Sequence, residues 1–229
     1  VSLKENGERD FSFYRNPSAD LLLSEEEVEP TWFQAGDILH FCSVDLVESP
    51  MKQAHKKAIA AVSDAGGLVS FDPNVRLPLW ENPEDCRKAI LEFLPSVDIL
   101  KVSDEELEFI TGIKDESEAI QSLFVGNVKA VVYTKGAAGA DLILKNKKFE
   151  SSGYAVEAVD TTGAGDAFIG GFLYQLLELH ANPENIEEML RDHQASILQF
   201  ANASGALTTT GKGAISALPK KVEVEELMR

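Results

Sequence analysis

From Asp37 onward the chain alternates short apolar runs with stretches whose apolar residues recur every three or four positions, and this alternation leaves few folds open. Asp37-Ile38-Leu39-His40-Phe41-Cys42 is a compact apolar run, and Ser49-Pro50 after it reads as a helix cap with proline at the first helical position. Met51, Ala54, Ala58, Val62 and Ala65 then follow at helical spacing until Gly66-Gly67 stops them, and Leu68-Val69-Ser70-Phe71 reads as a buried strand. The rhythm repeats. Asn82-Pro83 opens a helix with Cys86, Ala89, Ile90 and Phe93 inward, Val97-Asp98-Ile99-Leu100 reads as a strand, helices are expected over 103–110 and 115–124, and 128–133 is a further strand. Strands near 37–43, 67–71, 97–101 and 128–133 are expected to lie parallel in one sheet with helices on both faces, an α/β three-layer architecture. Residues 140–144 and 147–151, split by Lys145-Asn146, read as an antiparallel hairpin at the sheet edge.

The two ends differ. Val1 to Lys4 and Arg9 to Tyr14 flank Asn6-Gly7, the signature of a tight hairpin turn, so residues 1–19 are expected to contribute to a small β lid and 20–229 to form the α/β domain. The first residue falls inside an element and is not Met, so the chain is read as lacking its N-terminal part. Asp20 to Pro30 is acidic and reads as a short helix or loop, with 21–23 touching the core. Two long helices are expected toward the C-terminus, over 163–180 and 183–204, followed by the Thr- and Gly-rich loop 208–213.

Composition narrows the function. Asp plus Glu number 38 against 21 Lys plus Arg, a net charge of −17 in 229 residues, and no basic run of the kind that grips nucleic acid occurs. No apolar run is long enough for a membrane span, and no secretory leader is visible, so a soluble cytoplasmic protein without nucleic-acid or membrane partners is expected. Cys42 and Cys86 sit in apolar stretches and read as reduced core thiols. His40, His55, His180 and His193 lack neighbours at metal-ligand spacing and read as core or surface residues, His40 as hydrogen-bonded in the interior.

The stretch Asp160-Thr161-Thr162-Gly163-Ala164-Gly165-Asp166 is the most informative for chemistry. It is neither a phosphate loop ending in Gly-Lys-Ser/Thr nor a dinucleotide fingerprint, whose third glycine would fall on Phe168. Small residues permit a tight turn, and the helix behind it presents unpaired amides, a ready anion site for a transferring phosphoryl group. Asp166, in the first helical turn, could then take the proton of an attacking hydroxyl. A second reading is equally open on these residues: Asp160 or Thr162 caps the helix, and Asp166 only favours its positive end.

This stretch resembles the C-terminal signature of the ribokinase-like (PfkB) carbohydrate kinases, most closely the bacterial fructokinases of that family. The likeness extends through Phe71-Asp72-Pro73-Asn74-Val75-Arg76, Lys101-Val102-Ser103-Asp104-Glu105-Glu106, Thr134-Lys135-Gly136-Ala137-Ala138-Gly139 and 203–211, and so covers effectively the whole chain. The resemblance implies a ribokinase-like fold with a mainly parallel sheet and a β lid. It implies phosphorylation by ATP of a sugar's primary hydroxyl, fructose to fructose 6-phosphate, with kinases for 2-keto-3-deoxygluconate, ribose or a nucleoside as alternatives. A non-catalytic nucleotide-binding fragment is the competing reading from another class.

Carried over residue by residue, the resemblance makes Asp166 the base and Gly163, Ala164 and Gly165 the anion hole. Arg15 would reach the sugar from the lid. Asn74, Arg76, Lys101, Thr134, Gly136, Gly139, Gly165 and Asn202 would bind nucleotide, with Asn202 beside the adenine. Glu106 would act through water on magnesium, and Asp160 and Thr162, with loop 208–213, would hold a potassium-type cation. A homodimer through the lid is also implied. Two departures stand out: the family's opening strands and Gly-Gly sugar segment have no counterpart here, and Ser103 occupies the place of the family's asparagine. Ser103-x-x-Glu106 is at the same time a capping box on chemistry alone.

Overall fold

The computed structural model describes the paired backbone segments Ser2–Leu3 and Arg9–Asp10 and all residues from 18 to 229. The two segments, β1 (Ser2–Leu3) and β2 (Arg9–Asp10), pair antiparallel as a sheet of their own, Ser2 opposite Asp10 and Leu3 opposite Arg9. This agrees with the expected hairpin; its turn at Asn6-Gly7 lies outside the described residues.

Apolar runs become strands and periodic segments become helices in the order β3 (Ile38–Cys42), α1 (Pro50–Asp64), β4 (Leu68–Asp72), α2 (Pro83–Phe93), β5 (Ile99–Ser103), α3 (Asp104–Thr111), α4 (Glu116–Ser122), β6 (Ala130–Thr134), β7 (Gly139–Leu144), β8 (Lys147–Ser152), α5 (Ala164–Glu178), α6 (Ile186–Thr208) and α7 (Lys221–Leu227). The six-stranded sheet has the order β3-β4-β5-β6-β7-β8. Its first four strands are parallel and the last two antiparallel. Alternate residues of each strand go to opposite faces. Phe41, Val69, Phe71, Leu100, Val102 and Val131 meet α1 to α4 on one side, and Leu68, Ile99, Ala130, Val132 and Leu142 meet α5 and α6 on the other. These are the three expected layers. Phe41 and Phe71 stack at 4.4 Å between ring centroids, and Phe172 of α5 is wholly buried.

Several boundaries differ from those read in the sequence, each for a local reason. Ser49 precedes α1 but its hydroxyl donates to Val47 O instead of capping the helix. Asn82 does cap α2, accepting from Asp85 N at 3.0 Å. β5 starts at Ile99 because Asp98 turns its carboxylate back to accept Val69 N–H at 2.9 Å while also pairing with Lys129. β6 starts at Ala130 because a turn at Gly126 (φ +55) ties Asn127 N–H to Pro95 O. α6 begins at Ile186, not at 183, because Asn182 Oδ1 holds the amides of Glu184 and Asn185 in a turn. Residues 19–32 form three short 3-10 turns, and Leu22 is exposed where a core contact was expected. His40 stands exposed on the edge strand β3, its Nδ1 3.0 Å from Ser70 Oγ, so the expected interior position is corrected. Both cysteines are free, Cys86 buried and Cys42 partly so. Among the described residues no helix is long and apolar enough to cross a membrane.

Candidate active site

The sheet face toward α5 changes character along its strands. At the base, Leu68, Ile99 and Val132 are apolar and lie under Phe168, Phe172 and Leu176. Two residues further along the same faces stand Ser70 and Lys101, and then Asp72, all buried. Parallel strands direct their C-terminal ends to one edge, and the start of α5 lies over that polar end, the position where open α/β sheets place ligands.

The turn into α5 carries the glycine-rich stretch. Gly163 precedes the helix at φ +80, where an L side chain is strained, and an added β-carbon would come within 2.7 Å of Ala214 Cβ. No side chain caps the helix. Asp160 is committed elsewhere: Oδ1 accepts from the Thr162 amide (2.9 Å) and hydroxyl (2.6 Å), and Oδ2 accepts Gly213 N–H at 3.0 Å. The reading in which Asp160 or Thr162 caps α5 therefore fails. The first intrahelical bond at this end is Ala167 N–H to Gly163 O, which leaves the Gly165 and Asp166 amides ahead of the ladder. Gly165 and Asp166 are exposed, as a site open to a ligand requires.

Beneath this turn lies a buried ion pair. Lys101 Nζ donates to Asp72 Oδ2 at 2.8 Å, the side chains 8% and 4% exposed. A β-carbon on Gly165 would sit 3.5 Å from Lys101 Nζ, so the ammonium lies against the glycine of this turn. Asp72 Oδ1 accepts Asn74 N–H at 3.2 Å, and Asn74 itself has φ +45. Burial pushes the Asp72 carboxyl up to about 6; Lys101 opposes that shift, and Glu106 and Asp166 add to it. Between the ordinary value of 3.8 and about 6 the native protein thus holds a proton that the unfolded chain has released. The resulting stability is complete below the lower value and is lost as pH rises through about 6. Denaturant unfolding of the wild type and Asp72→Asn between pH 4 and 7 checks this: the wild type loses stability relative to the variant as pH rises, and a flat or rising difference refutes it.

Glu106 joins two elements. Its Oε2 accepts both the amide (3.0 Å) and the hydroxyl (2.8 Å) of Ser103, completing the expected capping box, and Oε1 accepts Val75 N–H at 2.7 Å. Both oxygens of this carboxylate thus hold protein donors. Among the described residues no group of three or more His, Cys, Asp and Glu side chains could enclose a metal. Asp160, tied to loop 208–213 through the Gly213 amide, is an oxygen donor of the kind a hard cation takes.

The remaining predicted positions divide. Arg76 is half-buried and donates to Val75 O, Thr134 ends β6 beside Ser103, and Gly136 is exposed at φ +52 in the turn after β6. Gly139 is instead buried at φ +104, where a β-carbon would lie 2.1 Å from Ser151 O, so it serves the close pairing of β7 with β8. Asn202, 7% exposed, donates from Nδ2 to Ser151 O, Ser151 Oγ and Ser152 O and ties α6 to β8. Arg15 lies outside the described residues. Ala214 against Gly163, and the exposed apolar side chains of Val159 (57%) and Ile215 (86%) flanking the turn, went unremarked in the sequence. An apolar residue inside a Gly- and Thr-rich loop was the available signal.

This geometry can be set beside known proteins. The model for the pfkB family carbohydrate kinases matches residues 1–221. The chain is 44% identical over 230 residues to probable fructokinase-2 of Arabidopsis thaliana, covering all of this chain and 68% of that protein. Its fold is similar to that of the fructokinase of Vibrio cholerae O395 in a fructose-, ADP- and calcium-bound form, with TM-score 0.88, 38% identity and coverage of 100% of this chain and 72% of that one. A double mutant of the same enzyme bound to fructose, ADP and potassium gives TM-score 0.87 and 38% identity, covering 100% and 71%. This chain thus spans roughly two thirds of the length of these relatives. An uncapped helix start behind a left-handed glycine, an exposed aspartate in its first turn and a match along nearly all of the sequence converge on one conclusion: the chain belongs to the pfkB family of carbohydrate kinases.

Proposed function

We propose that this chain carries the phosphoryl-transfer site of an ATP-dependent fructokinase. Sugar kinase activity has the support of the family match and of the structural likeness; fructose as the substrate extends what the relatives' names and bound ligands say of those proteins. The observation that carries the reading is the exposed Asp166 one residue beyond the Gly163–Gly165 turn, at a helix end no side chain caps. Asp166 accepts the proton of the sugar's primary hydroxyl as its oxygen attacks the terminal phosphorus, and the bond to the ADP leaving oxygen breaks. The Gly165 and Asp166 amides, with the positive end of α5, stabilise charge on the transferred group.

Asn74, Arg76, Lys101, Thr134 and Gly136 surround the nucleotide side of this site, while Gly139 and Asn202 support it by holding the edge hairpin. Magnesium bound with ATP supplies charge neutralisation for the phosphate oxygens. Glu106 would act through water on that ion, and Asp160 and Thr162 would help to hold a monovalent cation. Residues 1–19 act as a lid from which Arg15 reaches the sugar, with residues 20–229 as the catalytic body; the lid also forms a homodimer contact, which light scattering of the intact protein would test.

Sugar-dependent ADP release from MgATP, measured with fructose, ribose, 2-keto-3-deoxygluconate and a nucleoside, tests the proposal. Fructose is expected to give the highest kcat/KM. Nucleotide binding without release for any acceptor would favour the non-catalytic reading. Replacing a bulky organic cation by potassium at constant magnesium is expected to raise turnover, and equal rates across the titration would remove the monovalent site.

A further inference from the structure

The buried pair under the anion hole has a role that neither the helix start nor the base supplies. We propose that Asp72 is a positioning residue that acts through Lys101: its carboxylate clamps the ammonium against Gly165, fixing one positive charge at the floor of the anion hole. The inference rests on the reading that this hole receives the terminal phosphate of a nucleotide.

Three observations carry it. Lys101 and Asp72 both lie on the sheet face toward α5, 6% and 3% exposed, where the layers below are apolar. Two apolar residues would fill such a place with equal or better stability, because desolvating a buried ion pair offsets its attraction. What the pair adds is a charge at a defined point. Second, that point is next to the hole: Lys101 Nζ is 3.5 Å from the position a Gly165 β-carbon would take. Third, the clamp is itself held. Asp72 Oδ1 takes the Asn74 amide, which orients the carboxylate and leaves Oδ2 for the 2.8 Å bond to Lys101. A lysine stem has four rotatable carbons, and an ammonium has three donors, of which Asp72 takes one. Without Asp72 the head group is free to leave the glycine.

The test is calorimetric binding of MgADP and of a magnesium complex of a non-hydrolysable ATP analogue to the wild type, Lys101→Met, Asp72→Asn and the double variant, with melting temperatures alongside. The ratio of analogue to ADP affinity reads the terminal phosphate alone, and a merely structural role at the strand ends would lower melting without moving that ratio. Lys101→Met and Asp72→Asn are each expected to reduce the ratio by at least ~10-fold, the size of one lost hydrogen bond to a charged group. The double variant is expected to lose no more than Lys101→Met. A ratio unmoved by Asp72→Asn, or losses that multiply in the double variant, would overturn the proposal. Should Asp72→Asn fail to fold, the double variant, in which neither charge is left unpaired, is compared with Lys101→Met, and a further fall refutes the clamp. Wild-type protein that binds no MgADP would instead defeat the nucleotide-site reading itself, a result distinct from MgADP binding with an insensitive ratio.

Discussion

Replacing Asp166 by asparagine is expected to lower kcat by at least ~100-fold in the active kinase, since general-base catalysis contributes ~10² to 10⁴ in rate. Asparagine keeps the shape of the side chain and cannot take the proton. MgATP affinity should stay within a few fold or rise slightly, because a negative charge near the phosphates has been removed. Asp166 is exposed and in the first turn of α5, so its charge contributes only ~0.3–1 kcal/mol to helix stability. Parallel measurement of kcat, nucleotide Kd and Tm separates the two roles. A variant that melts slightly lower and turns over near the wild-type rate would end the assignment of Asp166 as base.

The second large effect is expected at Gly163. An alanine there would adopt φ +80, and its β-carbon would meet Ala214 Cβ at 2.7 Å. Holding a non-glycine residue in that region costs ~1–3 kcal/mol. At ~2–4 °C per kcal/mol for a chain of this size, Tm should fall by several degrees. The functional loss should be larger, because relief of the contact moves the turn and with it the Gly165 and Asp166 amides. Loss of one such donor costs ~10² to 10³ in kcat. Gly163→Ala is therefore expected to lower kcat at least ~100-fold with modest loss of stability. A variant with full turnover would show that the left-handed turn does not position the hole. Ala214→Gly removes the contacting β-carbon and should restore part of the lost Tm but little of the φ strain.

The layer order was legible because it depends on local periodicity. Leu68-Val69-Ser70-Phe71 can bury both faces only in a covered sheet, and Cys86, Ala89, Ile90 and Phe93 can share one face only as a helix. Element ends were less legible. The amide of Val69 chooses the Asp98 carboxylate, and the amide of Asn127 chooses Pro95 O, partners that no local pattern reveals. Asn202 illustrates the same limit within the site: its Nδ2 donates to Ser151 and Ser152, which approach it only when β8 lies against α6.

The glycine turn into α5 was readable from the residues, because small neighbours and an acid in the first helical turn are properties of seven consecutive positions, Asp160 to Asp166, although those residues alone left its chemistry open. What lies beneath it was decided by tertiary structure. Asp72 and Lys101 are 29 residues apart, Val75 and Glu106 are 31 apart, and Asp160 and Gly213 are 53 apart. The first two pairs meet because parallel strands bring their C-terminal ends to one edge and the register of β4 on β5 sets which side chains are neighbours there, and the third because the loop after α6 returns to the turn before α5. A one-residue slip of that register would send Lys101 to the opposite face of the sheet, since strand side chains alternate with a period of two. Local chemistry thus specified the glycine turn and the acid that follows it, and long-range packing supplied the ion pair beneath them.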